Sequence, residues 1–397
     1  MENNLYLKEV TLSGFKSIID VNIEFQNGIN IIIGKNAAGK TNFLKFFNKV
    51  LSLKYDELNN FKSNLIFKNG KEFSIVSEGI INTDDLFKTK KLNSTVKSKL
   101  IIAKKSKKES IALPIEHQLL ENNIIFNNTF LCHGIPKEYL IVDTPFLFKF
   151  DNKNKISNEV FNVIRNISNP YFVRLMLLDF FISFNSKELK KLSIDEILSF
   201  FKESSKKIES LKKVLIKFSP IEDIKFSDNF NIFLEDESFS INNIFLEFKI
   251  DGNWHPFSNL SDGTKRLFYI ISEVFENDIY SNLSPTSLGF YFDKSKVSKI
   301  ILIEEPELGL HPHQFHKLMQ FLKEESSDKQ IIITTHSPQA LDILDKNELE
   351  RIVIAYSTNP KEGTKLRHLS KDELNKANEY IKDYFLSDYW LYSNLEK

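Results

Sequence analysis

Short runs of consecutive apolar residues, each ending at polar residues, organise this chain. The runs Ile29–Ile33, Lys299–Ile303 and Gln330–Thr334 are short and rich in β-branched residues, which favours buried strands over helices. Residues 5–25 instead alternate apolar and polar positions around a break at Gly14, and this alternation predicts the two strands of a hairpin. The pattern therefore predicts an α/β fold with buried strands at its centre.

Helical spacing of apolar residues appears between these runs. The apolar residues between positions 43 and 51 share one face of a predicted helix, and a second helix is predicted after Ser261. The spacing from about 155 to 218 is also helical but is interrupted at Ser204 and Ser205, so we expect a packed helix or a short helical arm and no long coiled coil. The other predicted elements are short strands at 61–115 and 229–257 and one or two short helices from about residue 371.

The composition mainly excludes classes of protein and of site. The 397 residues include 42% apolar and 27% charged residues, as in ordinary globular proteins, and Lys plus Arg equals Asp plus Glu at 53 each. Cys132 is the one cysteine, which excludes a disulfide scaffold and a cysteine-rich zinc site and fits a cytoplasmic location. No secretory leader is apparent, and the apolar stretch 171–184 is too short to cross a bilayer, so no membrane partner is expected.

The sequence after the first buried run matches the phosphate-binding pattern G-x-x-x-x-G-K-[ST]. It reads Gly34-Lys35-Asn36-Ala37-Ala38-Gly39-Lys40-Thr41 and stands between a predicted strand and a predicted helix. Glycines let backbone N–H groups approach a phosphate, and the start of a helix favours an anion. Lys40 would reach the β- and γ-phosphates and Thr41 would bind Mg²⁺. The alternative is a glycine-bearing turn that matches by chance.

Two further runs end in residues that suit nucleotide hydrolysis. The second run ends at Glu304 and Glu305, and a Mg²⁺-dependent NTPase needs one acidic group near the metal and often another to polarise the attacking water. An ordinary strand followed by a solvated charged turn is the alternative. The third run leads to His336, and a lone histidine after a strand is usually a structural hydrogen-bonding residue.

Taken together, these segments resemble the ATP-binding-cassette (ABC) ATPase superfamily, and within it the SMC, Rad50, RecF and OLD group, including stand-alone ATPases of the AAA-15 and AAA-21 type. The resemblance covers residues 5–345, although the middle 200 residues match loosely. The matching segments are Gly14-Phe15-Lys16-Ser17, the loop 34–41 with Asn42, the signature-like Leu260-Ser261-Asp262-Gly263-Thr264-Lys265-Arg266, the stretch Glu305-Pro306-Glu307-Leu308-Gly309-Leu310-His311-Pro312, and Thr335-His336-Ser337-Pro338. Asp262 and Glu304 depart from the family pattern, which usually has glycine and aspartate there.

The resemblance implies a role for each matching position. Lys40, Glu305 and His336 would be catalytic, with Glu305 as the general base and His336 as the sensor of the γ-phosphate. Thr41, Glu304 and a glutamine would hold Mg²⁺, and Gln118 is the candidate glutamine because it follows a β-rich stretch. ATP would be bound by Gly34, Asn36, Ala38, Gly39, Lys40, Thr41 and Asn42 of one subunit and by Ser261 and Gly263 of a second.

The resemblance also implies a P-loop NTPase fold with a core parallel sheet, an antiparallel β subdomain and a mostly helical second lobe. Residues 1–150 would form the first part of the nucleotide-binding lobe, and residues 151–285 the helical lobe with the signature segment. Residues 286–397 would complete the nucleotide-binding lobe and add the C-terminal helices.

A cluster of histidines suggests a metal site but has a simpler explanation. His313 and His316 stand three residues apart on a predicted helix, yet no carboxylate or cysteine lies at convincing ligand spacing. His311 belongs to the motif of the resemblance. We favour structural roles for all three.

The predicted function is an ATP-dependent dimeric switch that hydrolyses ATP. The segment between Lys40 and Ser261 lacks the heptads of a chromosome-tethering arm, and about 60 residues after His336 are too few for the nuclease domain of OLD enzymes. We therefore expect the ATPase subunit of a bacterial anti-phage defence system that senses DNA or controls a separate effector. A RecF-like DNA repair ATPase and a non-catalytic scaffold gated by ATP are the alternatives.

Two surfaces are candidates for partners. Nine lysines and no acidic residue occur between Lys88 and Lys108, which predicts a strand pair whose lysine face binds duplex DNA or is merely solvated. The region 155–218 or the aromatic tail would dock an effector protein, although packing of the tail on its own core is the favoured alternative. The aromatic residues of the tail are Tyr384, Phe385, Tyr389, Trp390 and Tyr392.

Overall fold

The computed structural model divides the chain into two compact units. The first comprises residues 1–133, 291–308 and 322–397, and the second comprises residues 134–290 and 309–321. The predicted three-segment division differs from it at 134–150, 286–290 and 309–321, which all belong to the second unit. The structure describes residues 6–51, 58, 60–68, 72–76, 99–104, 107–110, 125–131, 146–149, 193–206, 208–227, 231–235, 238–242, 246–275, 297–327, 329–357, 359, 361–393 and 395.

A six-stranded sheet forms the centre of the first unit. Its strands are β3 (Ile29–Ile33), β8 (Ile125–Leu131), β15 (Val297–Glu304), β16 (Gln330–Thr335), β17 (Ile352–Tyr356) and β18 (Lys365–His368). Their order in space is β18-β17-β3-β16-β15-β8, and every neighbouring pair is parallel except the pair of β17 with β18. All three predicted buried runs lie in this sheet, and the side chains of β3 and β16 are buried throughout.

The register of this sheet brings three chain segments to one edge. Ile33 at the end of β3 pairs with Thr335, and Thr334 pairs with Glu304 at the end of β15. Because the strands are parallel, the loops that follow β3, β16 and β15 all leave from the carboxyl edge. Neighbouring strands are about 4.8 Å apart, so β3 and β15 are separated by about 10 Å. This edge is where open α/β sheets bind ligands.

An antiparallel sheet completes the strands of this unit. Its strands are β1 (Leu7–Ser13), β2 (Val21–Glu24), β4 (Lys62–Phe67), β5 (Glu72–Val76), β6 (Lys99–Lys104) and β7 (Lys107–Ser110). Their order is β2-β1-β4-β5-β6-β7, and β1 and β2 form the predicted hairpin. Strands β6 and β7 pair antiparallel within the lysine-rich segment, as predicted, whereas Lys88–Lys97 lie outside the described residues.

Helix α1 (Lys40–Leu51) follows β3 and carries the aromatic core of this unit. Its apolar residues recur every three to four positions, so one face is buried. Phe47 stacks on Phe25 with ring centroids 6.3 Å apart, and Phe46 meets Phe61 edge to face at 6.0 Å. The burial of these rings fixes the orientation of α1 and with it the loop that precedes the helix.

The second unit combines helices with antiparallel strands in its described part. The helices are α2 (Ile194–Ser205), α3 (Ile208–Phe218), α4 (Asp262–Val274) and α5 (Pro312–Glu325), whose last four residues belong to the first unit. The strands are β9 (Phe146–Lys149), β10 (Asp223–Phe226), β11 (Asn231–Glu235), β12 (Ser238–Asn242), β13 (Leu246–Ile250) and β14 (Asn253–Pro256). They form two three-stranded sheets with the orders β11-β12-β9 and β10-β13-β14. Phe248 of β13 packs against Phe257 and against Phe268 of α4, so the second sheet and this helix share a core.

The C-terminal segment, for which the sequence predicts one or two short helices, forms two: α6 (Lys371–Tyr380) and α7 (Leu386–Tyr392). Ser370 caps α6 in a capping box with Glu373, and Arg367 of β18 donates two hydrogen bonds of 2.7 and 3.0 Å to the same carboxylate. These bonds lower the pKa of Glu373 from 4.5 to about 2, chiefly through Arg367. The contact therefore ties α6 to the edge of the central sheet.

The aromatic residues of the C-terminal segment divide into two groups. Tyr389 and Trp390 are buried, which agrees with packing on the protein's own core. Tyr384, Phe385 and Tyr392 are more than 60% exposed. In the part of the chain that the structure describes, no helix has the length and apolarity needed to cross a membrane.

Candidate active site

Close backbone contacts shape the phosphate-binding loop between β3 and α1. Gly34 is buried, and a Cβ atom at this position would overlap the carbonyl oxygen of Ala355 in the neighbouring strand β17. Gly39 has a φ of +88°, and a Cβ atom there would overlap the hydroxyl of Thr364. Both positions of the motif therefore require glycine, for a steric reason at Gly34 and for steric and conformational reasons at Gly39.

The end of the loop presents groups that favour an anion. Lys40 is only 4% exposed, and its ammonium donates hydrogen bonds to the carbonyls of Gly34 (2.5 Å) and Lys35 (2.9 Å). Helix α1 begins at Lys40 and has no acidic residue in its first turn, so its N-terminal field is not offset there. Thr41 and Asn42 are half-buried, Ala38 is buried and Asn36 is exposed.

A hydrogen-bond network joins the first turn of α1 to two segments that are distant along the chain. The hydroxyl of Ser17 accepts a hydrogen bond from the Asn42 side chain (2.9 Å) and lies 2.8 Å from the hydroxyl of Thr364. The backbone N–H of Thr364 donates to the carbonyl of Ser17 (2.8 Å). Asn42 is therefore a structural residue in this structure as well as a predicted nucleotide ligand. Sequence reasoning missed Thr364, which belongs to no motif.

The two acidic residues at the end of β15 occupy different environments. Glu304 is fully buried, whereas the side chain of Glu305 is 16% exposed. Glu305 has a φ of +44°, and its N–H donates to the carbonyl of Thr334 (2.7 Å). The two neighbouring residues therefore differ in burial and in backbone conformation.

His336 meets two carboxylates at the end of β16. Its Nδ1 lies 3.1 Å from Oε1 of Glu307 and 3.7 Å from Oε1 of Glu305. The same Oε1 atom of Glu307 accepts hydrogen bonds from the Thr335 hydroxyl (2.6 Å) and the His336 N–H (3.0 Å). The structure thus brings the predicted residues Glu305 and His336 together. Glu307 belongs to the motif that follows β15, but no sequence pattern indicates its contact with the histidine loop.

The signature-like segment lies in the second unit and starts helix α4. Ser261 is the N-cap residue, and its hydroxyl accepts a hydrogen bond from the N–H of Thr264 (3.2 Å). Gly263 is buried, and a Cβ atom there would lie 2.5 Å from the carbonyl oxygen of Gly309. Ser261 and Asp262 are exposed. Gly263 therefore allows close packing within its own unit, a role that the sequence did not predict.

The histidines around α5 have identifiable contacts. Nδ1 of His311 accepts a hydrogen bond from the N–H of His313 (3.3 Å), so His311 caps the helix that Pro312 begins. Nε2 of His316 lies 3.0 Å from the Gln320 amide nitrogen. No group of three metal-ligating residues occurs among the described residues, and Gln118 lies outside them.

The residues from 29 to 342 match the family described as "AAA domain, putative AbiEii toxin, Type IV TA system". The chain belongs to this family. The match includes the phosphate-binding loop, the carboxylates after β15 and His336. The family match and the relatives described below confirm the resemblance to the SMC, RecF and OLD group of ABC-type ATPases, and the parallel sheet with its phosphate-binding loop confirms the α/β P-loop fold.

Curated relatives include Endonuclease GajA of Bacillus cereus (strain VD045), with 27% identity over 373 residues. That alignment covers 86% of this chain and 57% of GajA, so this chain spans little more than half of that protein's length. The DNA replication and repair protein RecF of Bacillus subtilis (strain 168) is 27% identical over 127 residues, or 32% of this chain and 31% of RecF. Both relatives lie within the group that the motifs indicated.

Solved structures of SMC head domains also align with the chain. The Smc head bound to the C-winged helix domain of ScpA gives a TM-score of 0.47 at 14% identity and covers 92% of this chain and 99% of that chain. The SMC head domain from Thermotoga maritima gives 0.41 at 14% identity, with 92% and 99% coverage.

Proposed function

We propose that this protein is a Mg²⁺-dependent ATP hydrolase that acts as an ATP-gated dimeric switch in bacterial anti-phage defence. One observation carries the proposal: the phosphate-binding loop, Glu305 and His336 all lie at the carboxyl edge of three neighbouring strands. The membership of the ATPase family and the similarity to GajA support it.

The residues of this edge suit the separate tasks of hydrolysis. Backbone N–H groups of the loop and the Lys40 ammonium bind the β- and γ-phosphates. Glu305 polarises the attacking water, and His336 donates a hydrogen bond to the γ-phosphate. Because its side chain is 16% exposed at the edge of the sheet, Glu305 can reach a water molecule.

The oxygen-rich groups at this edge fit Mg²⁺. Glu304 places a fully buried carboxylate at the end of β15, and Thr41 offers a hydroxyl in the first turn of α1. Carboxylate and hydroxyl oxygens are ligands that Mg²⁺ prefers. We assign both residues to the metal, with Gln118 as a proposed third ligand. When bound, Mg²⁺ would neutralise charge that develops on the phosphates.

Assembly through ATP completes the proposed switch. Ser261 is exposed at the start of α4, where it can contact a nucleotide held by a second copy of the chain. ATP would then join two subunits, and hydrolysis would release them. An effector protein or duplex DNA would bind one of the two states of this cycle. RecF is a DNA replication and repair protein, and its similarity to this chain supports the DNA alternative.

Steady-state ATP hydrolysis with and without linear duplex DNA tests the proposal. We expect Glu305→Gln to lower kcat by about 100-fold or more, the size typical of a lost general base, and to retain ATP binding as a stable dimer in size-exclusion chromatography. Lys40→Ala should lose ATP binding. The matched control Glu350→Gln removes the same charge at an exposed position and should hydrolyse ATP at the wild-type rate.

Two outcomes would contradict the proposal. If Glu305→Gln and wild type hydrolyse ATP equally fast, Glu305 is not the base. If Glu305→Gln stays monomeric at saturating ATP, the dimeric switch is wrong. Stimulation of the wild type by DNA would indicate DNA sensing, and rates indifferent to DNA would favour control by a protein partner.

A further inference from the structure

Glu307, two residues after the proposed base Glu305, contacts the histidine loop at several atoms. Its side chain is only 9% exposed, and Oε1 lies within 3.1 Å of the Thr335 hydroxyl, the His336 N–H and Nδ1 of His336. The other carboxylate oxygen, Oε2, is buried without a hydrogen-bond partner among the described residues. One carboxylate oxygen therefore accepts two hydrogen bonds and lies close to a ring nitrogen, all from two consecutive residues.

These contacts determine how His336 presents its ring. A carboxylate oxygen 3.1 Å from a ring nitrogen favours hydrogen on that nitrogen, because two lone pairs at this distance would repel each other. The imidazole then has its Nδ1 side turned toward Glu307 and Glu305, and Nε2 remains to face a substrate. The bond from the His336 N–H to the same oxygen fixes the backbone as well as the ring.

The two loops joined by this carboxylate are distant along the chain. Glu307 follows β15, and His336 stands 29 residues later at the end of β16. The hydroxyl of Thr335 also accepts a hydrogen bond from the N–H of Ser337 (2.9 Å), which continues the chain of contacts past His336. Any displacement of the loop after β15 would therefore act directly on the histidine.

We propose that Glu307 is a positioning residue that holds His336 with hydrogen on Nδ1 and Nε2 directed to the γ-phosphate of ATP. When ATP is bound, Nε2 carries a second hydrogen, taken up from solvent, and donates it in a hydrogen bond to the phosphate. This inference rests on the proposed ATPase function. Glu307 acts through His336 and does not itself touch the nucleotide. Its contribution is to turnover, and the affinity for ATP comes from the phosphate-binding loop.

A double-mutant cycle tests the coupling between the two residues. Glu307→Leu removes both carboxylate oxygens but fills similar space, and we expect kcat to fall about tenfold with KM for ATP changed less than about twofold, as when a group that orients a functional histidine is lost. In a His336→Ala background the same substitution should lower kcat no further. Glu307→Gln keeps an acceptor oxygen and should restore kcat to within about threefold of wild type.

The opposite pattern would overturn the inference. If the losses in kcat multiply in the variant that carries both Glu307→Leu and His336→Ala, Glu307 does not act through His336. An increase in KM with kcat unchanged in Glu307→Leu would show the same. Glu350→Gln again controls for the loss of one negative charge. Thermal unfolding and ATP binding of each variant show whether it retains the native fold.

A second measurement does not depend on hydrolysis or on the folding of a Glu307 variant. Nitrogen-15 NMR of histidine-labelled, nucleotide-free protein distinguishes the two ring tautomers, and the signals of His336 are those that disappear in His336→Ala. We expect a protonated Nδ1 in the wild type. A His336 ring with hydrogen on Nε2 alone would refute the inference even if ATP hydrolysis is normal, and an inactive wild type with the expected tautomer would refute only the ATPase proposal.

Discussion

The loop after β3 and the loops after β15 and β16 lie at one edge of the same sheet but are fixed in different ways. Close approach of backbone atoms fixes the first, because Gly34 lies against the carbonyl of Ala355. Contacts between side chains fix the others, since Glu307 binds Thr335 and His336. Backbone contacts tolerate no added atom, whereas side-chain contacts can be removed one at a time. The first region should therefore fail abruptly on substitution and the second in graded steps.

Gly34→Ala should give the largest effect. The added methyl group would overlap the backbone of a central strand, which no side-chain movement can relieve. We expect a loss of about 3 kcal/mol in the free energy of unfolding, the upper end of ordinary overpacking, together with loss of ATP binding. Urea unfolding and nucleotide-binding titrations measure the two effects.

Gly252→Ala is the matched control for this backbone contact. Gly252 has a φ of +77°, but a Cβ atom added there would meet no other atom within 4 Å, so alanine adds only conformational cost. That cost is about 1 kcal/mol, and ATP binding should be unchanged. If Gly34→Ala binds ATP and resists urea as well as the wild type, the backbone contact does not fix the phosphate-binding loop.

Glu373→Gln should give an intermediate effect that depends on pH. The pKa of Glu373 falls from 4.5 to about 2 in the folded protein, so the ionised form stabilises the fold above about pH 4.5 and this stabilisation is lost as the pH falls toward 2. At pH 7 we expect the variant to be less stable by on the order of 2 kcal/mol, with ATP hydrolysis unchanged. The difference between variant and wild type in urea midpoint should shrink from about pH 5 to about pH 3, and a constant difference would contradict the assignment.

His311→Ala should give the smallest effect. It removes a side-chain acceptor at the start of α5, and the loss of such a cap costs about 0.5–1 kcal/mol. Zinc should neither stabilise the wild type nor rescue the variant in thermal unfolding. His313→Ala, which leaves the cap in place, should be more stable than His311→Ala, and equal stabilities would exclude the capping role.

The difference between local backbone geometry and contacts of distant side chains also explains what the sequence could predict. The phosphate-binding loop is a contiguous motif whose geometry is set by its own glycines, and the three buried strands were apparent from their β-branched runs. The structure places these strands at 29–33, 297–304 and 330–335, within two residues of the predicted ends. Glu305 and His336 could be named because each directly follows a buried strand.

The features that escaped prediction all depend on contacts between distant segments. Ser17 and Thr364 stand 347 residues apart, and no local pattern marks either as a partner of the other. Glu307 was visible in a motif, but its contact with His336 follows from the pairing of β15 with β16. The packing of Gly263 against Gly309 is likewise a property of the folded unit.

The positive φ of Glu305 sets a limit on sequence design for this fold. A left-handed backbone costs a residue with a side chain about 1–2 kcal/mol, which glycine would avoid. A design method that optimises folding energy alone would therefore favour glycine at position 305 and delete the carboxylate. Any redesign that seeks a more stable protein while retaining this group must hold position 305 fixed and gain its stability elsewhere.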